Sequence, residues 1–555
     1  MTGMQSRLPS MPSMPRRSAR RARARRRVVV AIVVFGALLS AGPAGAAANS
    51  PLTKVTTKKT ATKTTAKVTA TTTAPQVAVP TTVAAPAPAP TRPAFGTCGQ
   101  VGTDEGVQCA LVPVPLDPAN PAGDTISVFV ARRPAGDQAS RIGTLFINPG
   151  GPGGPTLDLV RRSRTFLTAE VLSRFDIVGV DPRGTERSAP LGCSLSAVAR
   201  ADLATPADGS ALARQKASYV NLGKACAATD GNRLAFMDTT TAARDIDAVR
   251  AALGEDRISF LGMSYGTYLG AVYESLFPQQ VRAVVLDSAI DPARFGTNQL
   301  LDPLAQSEIS LDAFLAACAN GTLIPCRFND GTDLKAKYSA LREKYLGTGS
   351  GRDRSEATLD TTINSLIGYP RNGWPILGRA LQELADGRTP NFAATSADNL
   401  SVDNSERIVP VDSLSVATNI AISCRDGILP RDPVAYQAVV DNVYGVAPRF
   451  SGIRFNEGIA TTCVSWPSPT AVLTPLRASV ASTLVIANTF DPTTPIVWSR
   501  GLAAQLGAPL LIRNGGGHVA INKSLCVQSA VARFLIDGVA PPSGTVCSPD
   551  LANPS

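Results

Sequence analysis

Short apolar runs that alternate with helical stretches are the feature that most constrains the fold of this chain. Seven such runs, ending in turns that contain Gly or Asp, occur at residues 126–131, 143–147, 175–180, 257–262, 281–286, 483–488 and 508–513. Continuous apolar runs of this length are typical of strands buried on both faces. Helical patterns such as residues 240–253 and 265–277 lie between them. The alternation predicts the α/β class, with a mostly parallel sheet and helices on both faces.

The strand pattern stops between residues 293 and 470, where helical and polar sequence dominates. An insertion at this point is expected to form a helical lid over the strand ends. We therefore divide the folded part into a first core segment, residues 97–292, the lid, residues 293–470, and a C-terminal core segment, residues 471–555. No internal repeat is visible.

The first 96 residues differ from the rest of the chain. Residues 1–48 place an Arg-rich stretch before 12 apolar residues and a tract of small residues. This order predicts a secretory signal peptide cleaved near Ala46 or Ala48; the alternative is an uncleaved anchor, although a span needs about 20 residues. Residues 49–96, rich in Thr, Ala, Lys and Pro, predict a disordered linker because they bury too little apolar surface to offset ordering.

The net charge of +11 is due to the first 96 residues. Residues 1–96 carry 15 basic and no acidic side chains, so the remaining 39 basic and 43 acidic residues give the folded part a net charge of −4. A nucleic-acid-binding domain needs clustered Lys and Arg in its folded part, so we expect no nucleic-acid partner. We expect a secreted or extracytoplasmic protein whose basic N-terminal region is a candidate for association with the cell wall or a membrane surface.

All ten cysteines lie beyond residue 97, and they occur as neighbours in the sequence. An even number of cysteines in an exported chain fits an oxidising compartment. Connectivity does not follow from sequence, but we expect five local disulfides: Cys98–Cys109, Cys193–Cys226, Cys318–Cys326, Cys424–Cys463 and Cys526–Cys547. Because the chain has no CxxC pair and only one histidine, we expect neither a metal nor a cofactor.

The segment Gly262–Met263–Ser264–Tyr265–Gly266 stands between a predicted strand and a predicted helix. A serine in such a turn forms a nucleophile elbow, and glycines flank it because a Cβ there would crowd the neighbouring backbone. The bare GxSxG pattern occurs often by chance, so the strand-turn-helix context carries the assignment. We predict Ser264 as a nucleophile.

A serine nucleophile needs a base, and the only histidine is His518, which follows three glycines after a predicted strand. In this class of site the acid precedes the histidine in the chain. Asp491 follows the strand at 483–488 and is the preferred acid, since a triad acid orients the imidazole from a neighbouring strand end. The alternative is Asp287, at the end of the strand at 281–286, which otherwise caps a turn or helix.

Acyl transfer also requires donors for the oxyanion. We predict the backbone N–H of Tyr265 as one donor. The second is predicted in the glycine-rich loop at 148–154, with Gly151 as the chosen residue. A phosphate-binding loop is the alternative, but this sequence lacks the Lys and Ser/Thr of a P-loop.

Taken together, these motifs resemble the secreted tripeptidyl aminopeptidases of the prolyl-aminopeptidase clan, α/β-hydrolases with a TAP-like C-terminal segment. The resemblance covers most of residues 97–550 and rests on NPGGPGGP at 148–155, FDIVGVDPRGTERS at 175–188, GMSYGTYLG at 262–270, ANTFDPTTP and GGGH. It implies release of short peptides, often tripeptides, from free N-termini by a triad of Ser264, Asp491 and His518. Glu186 and Pro155 depart from the family pattern, which has a small residue and Ser there.

Two other functions use the same sequence features. An esterase or lipase would employ the same triad, because the nucleophile does not distinguish an ester from an amide. A non-catalytic wall-associated binding protein would keep the fold but needs none of the three triad residues. An aminopeptidase further needs an acid that pairs with the substrate α-ammonium. The lid offers several acids, and the sequence does not choose among them: Glu308, Asp403, Glu406 and Asp426.

Overall fold

The computed structural model describes residues 92–99, 106–193, 211–321, 326–347, 352–371, 373–388, 390, 400–402, 408–410, 413–455, 463–477 and 483–548. The predicted signal peptide or anchor lies outside the described residues, and so does most of the predicted linker. No helix in the described part of the chain has the length and apolar character needed to cross a membrane.

The strands are β1 (Gln108–Pro115), β2 (Thr125–Arg133), β3 (Gly143–Asn148), β4 (Phe175–Val180), β5 (Ile258–Met263), β6 (Val281–Asp287), β7 (Leu400–Val402), β8 (Ile408–Pro410), β9 (Thr483–Phe490), β10 (Leu510–Gly516) and β11 (Val546–Cys547). The α-helices are α1 (Leu157–Arg161), α2 (Ala169–Arg174), α3 (Ala211–Asp230), α4 (Thr239–Leu253), α5 (Tyr265–Leu276), α6 (Thr297–Ala319), α7 (Leu334–Leu346), α8 (Arg352–Ile367), α9 (Gly373–Ala385), α10 (Ser413–Arg425), α11 (Pro433–Val446), α12 (Ile496–Leu506) and α13 (Leu525–Asp537).

One large sheet has the strand order β1-β2-β4-β3-β5-β6-β9-β10-β11. Strand β2 pairs antiparallel with β1 and β4, whereas the pairs from β4 to β11 are parallel. The mostly parallel sheet and its seven predicted strands are confirmed. Sequence analysis missed β1, whose two prolines weaken a strand pattern and are tolerated because β1 is an edge strand.

Two apolar cores lie on opposite faces of this sheet. In β3, Phe146 belongs to the core that includes α4 and α5, and Leu145 and Ile147 belong to the core that includes α1 and α13. Successive side chains of a strand point to opposite faces, so a strand covered on both sides is apolar throughout. This packing explains why the strands were recognisable as continuous apolar runs.

Helices α6 to α11 lie between β6 and β9 in the chain. Residues of α6, α7, α8, α9 and α11 share a third apolar core, which includes Phe314, Ile363 and Leu377. A buried arginine, Arg342, pairs there with Glu356 at 2.9 Å and Asp360 at 3.1 Å. The helices of this insertion therefore have their own core and do not depend only on the sheet.

The five predicted disulfides are confirmed, with Cα–Cα distances of 4.9 to 5.8 Å. The longest loop, closed by Cys424–Cys463, spans 39 residues and joins the end of α10 to the segment before β9. A bridge of this kind stabilises a fold by about 2–4 kcal/mol, chiefly by restricting the unfolded chain.

Candidate active site

Ser264 lies between β5 and α5 with φ 56° and ψ −128°, a backbone conformation that is strained for a residue with a Cβ. Gly262 and Gly266 have no room for a Cβ, because backbone atoms of neighbouring residues lie too close. A Cβ on Gly262 would approach the Gly266 carbonyl oxygen to 2.1 Å, and a Cβ on Gly266 would approach that of Asn148 to 2.7 Å. The strand-turn-helix context predicted for Ser264 is therefore present, and the serine is half-buried at the carboxyl end of β5.

Asp491 and His518 are in direct contact. They follow the adjacent strands β9 and β10, and Nδ1 of His518 lies 3.1 and 3.0 Å from the two carboxylate oxygens of Asp491. A carboxylate only accepts hydrogen bonds, so Nδ1 carries the proton and Nε2 is left as the basic nitrogen. This arrangement is the one required of an imidazole that takes a proton from a serine.

The Ser264 hydroxyl has no direct hydrogen bond to His518 among the described residues. Ser264 follows β5 in the same sheet, and the carboxyl ends of parallel strands meet at one edge. Catalytic hydrogen bonds are often long without substrate and tighten in the complex. The structure thus brings the acid and base together and leaves the predicted nucleophile at the same edge.

The carboxylate of Asp491 is completely buried and held by several donors. The amides of Thr493 and Thr494 donate to Oδ1 at 3.0 Å each, and the Thr494 hydroxyl donates to Oδ2 at 3.0 Å. Burial raises the pKa of Asp491, but the neighbouring His518 and these hydrogen bonds lower it by a larger amount. The net pKa of Asp491 therefore lies below its usual value. The carboxylate is therefore ionised at neutral pH.

Sequence analysis missed Thr494. Its hydroxyl also lies 3.2 Å from Nδ1 of His518, so it contacts both members of the acid-base pair. The signal was present in the sequence: an Asp followed three residues later by Thr in DPTT is the pattern of a carboxylate that caps its own turn.

Asp287, the alternative acid, has a different set of partners. Its buried carboxylate accepts hydrogen bonds from the amides of Ala520 at 3.0 Å and Ile521 at 2.8 Å. Burial raises the pKa of Asp287 to about 6, although these amides lower it. Among the described residues, Asp491 and not Asp287 is hydrogen-bonded to the imidazole.

The glycine-rich loop after β3 lies against the Ser264 elbow. Gly150 and Gly151 have φ of 98° and 115°, in the region that favours glycine. A Cβ on Gly150 would lie 2.6 Å from the Met263 carbonyl oxygen and 2.9 Å from the Tyr265 amide nitrogen. The Gly150 N–H donates to the Asn148 side chain at 2.9 Å, which leaves Gly151 as the next amide along the loop. The two predicted oxyanion donors, Tyr265 and Gly151, therefore belong to contacting segments.

Helix α10 supports this loop. The side-chain amide of Asn419 donates to the Pro152 carbonyl at 3.1 Å, and the Thr418 hydroxyl donates to the Gly184 carbonyl of the neighbouring loop at 2.7 Å. The loop that contains Glu186 also participates, since the hydroxyl of its neighbour Thr185 donates to the Gly153 carbonyl at 3.2 Å. The segment with the unusual Glu186, which has φ 32°, thus contacts the glycine-rich loop.

Pro155 ends the glycine-rich loop and precedes Thr156. Both the amide and the hydroxyl of Thr156 donate to Oδ1 of Asp181, at 2.6 and 2.8 Å. Burial raises the pKa of Asp181 to about 6, against the lowering effect of Thr156. Asp181 therefore anchors the end of the loop to β4.

Two of the four candidate acids from residues 293–470 are engaged within the protein. Glu308 accepts hydrogen bonds from the amide of Arg449 at 2.6 Å and from its guanidinium. Asp426 is buried and accepts from the amide and hydroxyl of Thr239 at 3.0 and 2.5 Å, and the same hydroxyl contacts the phenol of Tyr265. Burial raises the pKa of Asp426 to about 7, although Thr239 lowers it.

The other two candidate acids, Asp403 and Glu406, lie outside the described residues. Within the described part of the chain, no group of three or more His, Cys, Asp or Glu side chains is placed to hold a metal ion.

The chain matches two known families and several known proteins. Residues 143–329, which contain Ser264, match the family described as alpha/beta hydrolase fold, and residues 449–547, which contain Asp491 and His518, match the TAP-like protein family. The chain is 31% identical over 494 residues to the serine protease Hip1 of Mycobacterium tuberculosis, covering 83% of this chain and 91% of the relative.

Two further relatives differ in their named activities. The chain is 33% identical over 488 residues to carboxylesterase B of Mycobacterium tuberculosis, covering 84% of this chain and 92% of that one. It is 42% identical over 194 residues to the tripeptidyl aminopeptidase of Streptomyces coelicolor, covering 34% of this chain and 36% of the relative. The chain therefore belongs to the α/β-hydrolases with a TAP-like C-terminal segment, and it is a serine hydrolase.

Proposed function

We propose that this protein is an exported serine aminopeptidase that releases short peptides, of about three residues, from free N-termini through an acyl-enzyme on Ser264. The observation that carries the proposal is the buried contact between Asp491 and Nδ1 of His518 at the sheet edge where the Ser264 elbow lies. That contact fixes the imidazole tautomer required of a general base.

Each step of the reaction has a residue to perform it. Nε2 of His518 takes the hydroxyl proton as Ser264 Oγ attacks the scissile carbonyl, and Asp491 stabilises the resulting imidazolium. The imidazolium gives that proton to the leaving amine as the carbon–nitrogen bond breaks, which leaves the peptide esterified to Ser264. Water, deprotonated by the same imidazole, then releases the peptide acid and restores the serine.

The backbone amides of Tyr265 and Gly151 are the donors for the oxyanion formed in both steps. The close approach of the Gly150 loop to the elbow supports this assignment. Donors that are already oriented by the fold stabilise the developing charge without reorganisation, and each contributes roughly 10²- to 10³-fold in rate.

A peptide substrate is supported by the relatives named serine protease and tripeptidyl aminopeptidase. Entry of a chain end into the site is supported by the lid. The amide of His518 donates to the carbonyl of Gly368 at 3.0 Å, and a Cβ on Gly517 would meet Pro370 at 2.7 Å. The turn between α8 and α9 therefore covers the loop that carries the base, as expected of a site entered by a chain end.

Export is supported by the basic and apolar front end of the sequence and by the five disulfides. An extracytoplasmic peptidase would meet its substrates, peptides with free N-termini, at the cell wall or in the medium.

An esterase is the second candidate, and the carboxylesterase relative, which matches 84% of this chain, favours it. The same nucleophile, base and oxyanion donors would cleave an ester. A non-catalytic binding protein has less support, because a binding role does not require a buried carboxylate aligned on an imidazole.

Three substrates separate these functions: a tripeptidyl anilide with a free amine, its N-acetylated form, and a simple p-nitrophenyl ester. We expect release of aniline from the free-amine peptide and at least about 100-fold slower release from the acetylated one, because the ammonium is a recognition element. Turnover of the ester alone would establish the esterase. Ser264→Ala is the control for a contaminating hydrolase, and equal cleavage of both peptides would contradict the aminopeptidase.

A further inference from the structure

The end of β6 lies between the strand that leads to the predicted nucleophile and the strand that leads to the predicted acid. Strand β6 pairs with β5 on one side and with β9 on the other. The last residue of β6 is Asp287, and its carbonyl accepts the backbone N–H of Ser264 at 3.0 Å. The next residue, Ser288, donates its own N–H to the Ile486 carbonyl of β9 at 2.9 Å.

These two residues also hold the segment after His518. The amides of Ala520 and Ile521 donate to the Asp287 carboxylate at 2.8 to 3.0 Å. The amide of Val519 donates to the Ser288 hydroxyl at 3.0 Å. Three consecutive backbone N–H groups, beginning next to His518, are therefore bound by one dipeptide.

The Ser288 hydroxyl connects the strand before the acid to the same segment. It accepts hydrogen bonds from the Val519 amide at 3.0 Å and from the Asn488 side chain of β9 at 3.2 Å. One hydroxyl thus joins β9, which leads to Asp491, and the histidine loop.

Asp287 and Ser288 each have a feature that lowers the stability of the fold. Ser288 is completely buried with φ 61°, a conformation that is strained for a residue with a Cβ. Asp287 is a fully buried carboxylate whose hydrogen-bond donors are neutral amides. Strain of this kind persists where the surrounding structure fixes it, commonly at functional sites.

We propose that Asp287 and Ser288 are positioning residues, which set the relative placement of Ser264, His518 and Asp491 through hydrogen bonds to all three of their segments. The inference rests on the proposed triad. Asp287, the alternative triad acid by sequence, acts on the main chain beside the base and not on its imidazole.

The proposal predicts that removing the Ser288 hydroxyl slows the reaction of Ser264 even in protein that remains folded. Ser288→Gly removes the hydroxyl and keeps a residue that adopts positive φ without strain, whereas Ser288→Ala removes the hydroxyl and keeps the strain. Both variants should react with a fluorophosphonate probe about 10- to 100-fold more slowly per folded molecule, because small misplacements of reacting groups cost rates of that order. On a p-nitrophenyl ester, kcat should fall while KM stays within about threefold.

A matched control is Ser275→Ala, at the far end of α5. Its hydroxyl is also buried and accepts a backbone N–H, from Arg477 at 3.1 Å, so the variant loses a comparable hydrogen bond away from the elbow. It should react with the probe within about twofold of the unchanged protein. Melting temperatures and circular dichroism of the purified full-length variants show which of them fold.

Asp287→Asn, which replaces one acceptor oxygen of the carboxylate by an NH₂ group, should slow labelling in the same way, and Ser288→Gly decides the outcome if that variant fails to fold. If Ser288→Gly is labelled at a rate within about twofold of the unchanged protein, the proposal is overturned. A loss of labelling rate equal to that of Ser275→Ala would overturn it as well. Because the probe needs only an activated serine, a failure of the proposed peptidase activity would leave these labelling rates unchanged. A chain that the probe does not label at all would instead contradict the proposed triad.

Discussion

Replacing Gly150 with alanine should inactivate the enzyme while the chain still folds. The added Cβ would stand 2.8 Å from the Ser264 Cβ and 2.6 Å from the Met263 carbonyl oxygen, where an ordinary contact is 3.4 to 4 Å. The glycine-rich loop would have to move away from the elbow by about 0.8 Å or more to restore van der Waals contact. These neighbours include backbone of the elbow, so no flexible side chain can rotate out of the way.

The magnitude follows from the position of the loop. A displacement of this size moves the Gly151 amide away from the oxyanion, and loss of one such donor costs roughly 10²- to 10³-fold in kcat, or about 3 to 4 kcal/mol. The alanine also has to adopt φ 98°, which costs about 1–3 kcal/mol of folding free energy. Activity should therefore fall far more than stability.

The assay compares kcat on the ester and the peptide with unfolding in urea. Gly331→Ala is the control for backbone strain, because Gly331 has φ +85° and nothing within 4 Å of the added Cβ. It should lose stability to a similar extent and keep its activity. If Gly150→Ala retained more than about a tenth of the activity of Gly331→Ala, the assignment of this loop to the oxyanion would be refuted.

Three further predictions concern the acid, the triad and the buried lid carboxylate. Thr494→Val should lower kcat about tenfold because the Asp491 carboxylate loses a donor, and Thr494→Ser should restore it; equal rates for both variants would contradict this role. Ser264→Ala and His518→Ala should each abolish turnover and leave the melting temperature nearly unchanged, as scored by ester hydrolysis and circular dichroism. The pKa of Asp426 is raised by burial to about 7, so its contribution to stability is present at low pH and is lost as the pH rises through 7. Between pH 8 and 5 the unfolding free energy of the unchanged protein should therefore rise by about 2 to 3 kcal/mol relative to Asp426→Asn, and parallel pH profiles in urea would disprove it.

The site residues predicted from the sequence are those that a short local pattern or their rarity in the chain distinguishes. Ser264 follows from a turn that only glycines permit, and His518 follows from being the only histidine. The preference for Asp491 over Asp287 rested on its place at a neighbouring strand end, since both acids precede the histidine in the chain, and the structure has Asp491 against the imidazole. The pairing of neighbouring cysteines also followed from short separations along the chain.

The remaining features depend on contacts between distant segments. Asp426 meets Thr239 across 187 residues, and Thr418 meets Gly184 across 234. No periodicity or motif relates such positions, because they are brought together only when α10 packs beside the sheet edge. The binding of Asp287 to Ala520 is of the same kind, so its sequence context indicated a cap without indicating which segment it caps.

Trapping the acyl-enzyme tests the proposed role of Ser264 most directly. The protein is mixed with the p-nitrophenyl ester of a free-amine tripeptide, quenched in acid, digested and examined by mass spectrometry. We expect a mass increase equal to one tripeptidyl acyl group on the peptide that contains Ser264, absent from His518→Ala and much reduced with the N-acetylated ester. An adduct on another residue, or equal adduct formation with both esters, would contradict an N-terminal peptidase that works through Ser264.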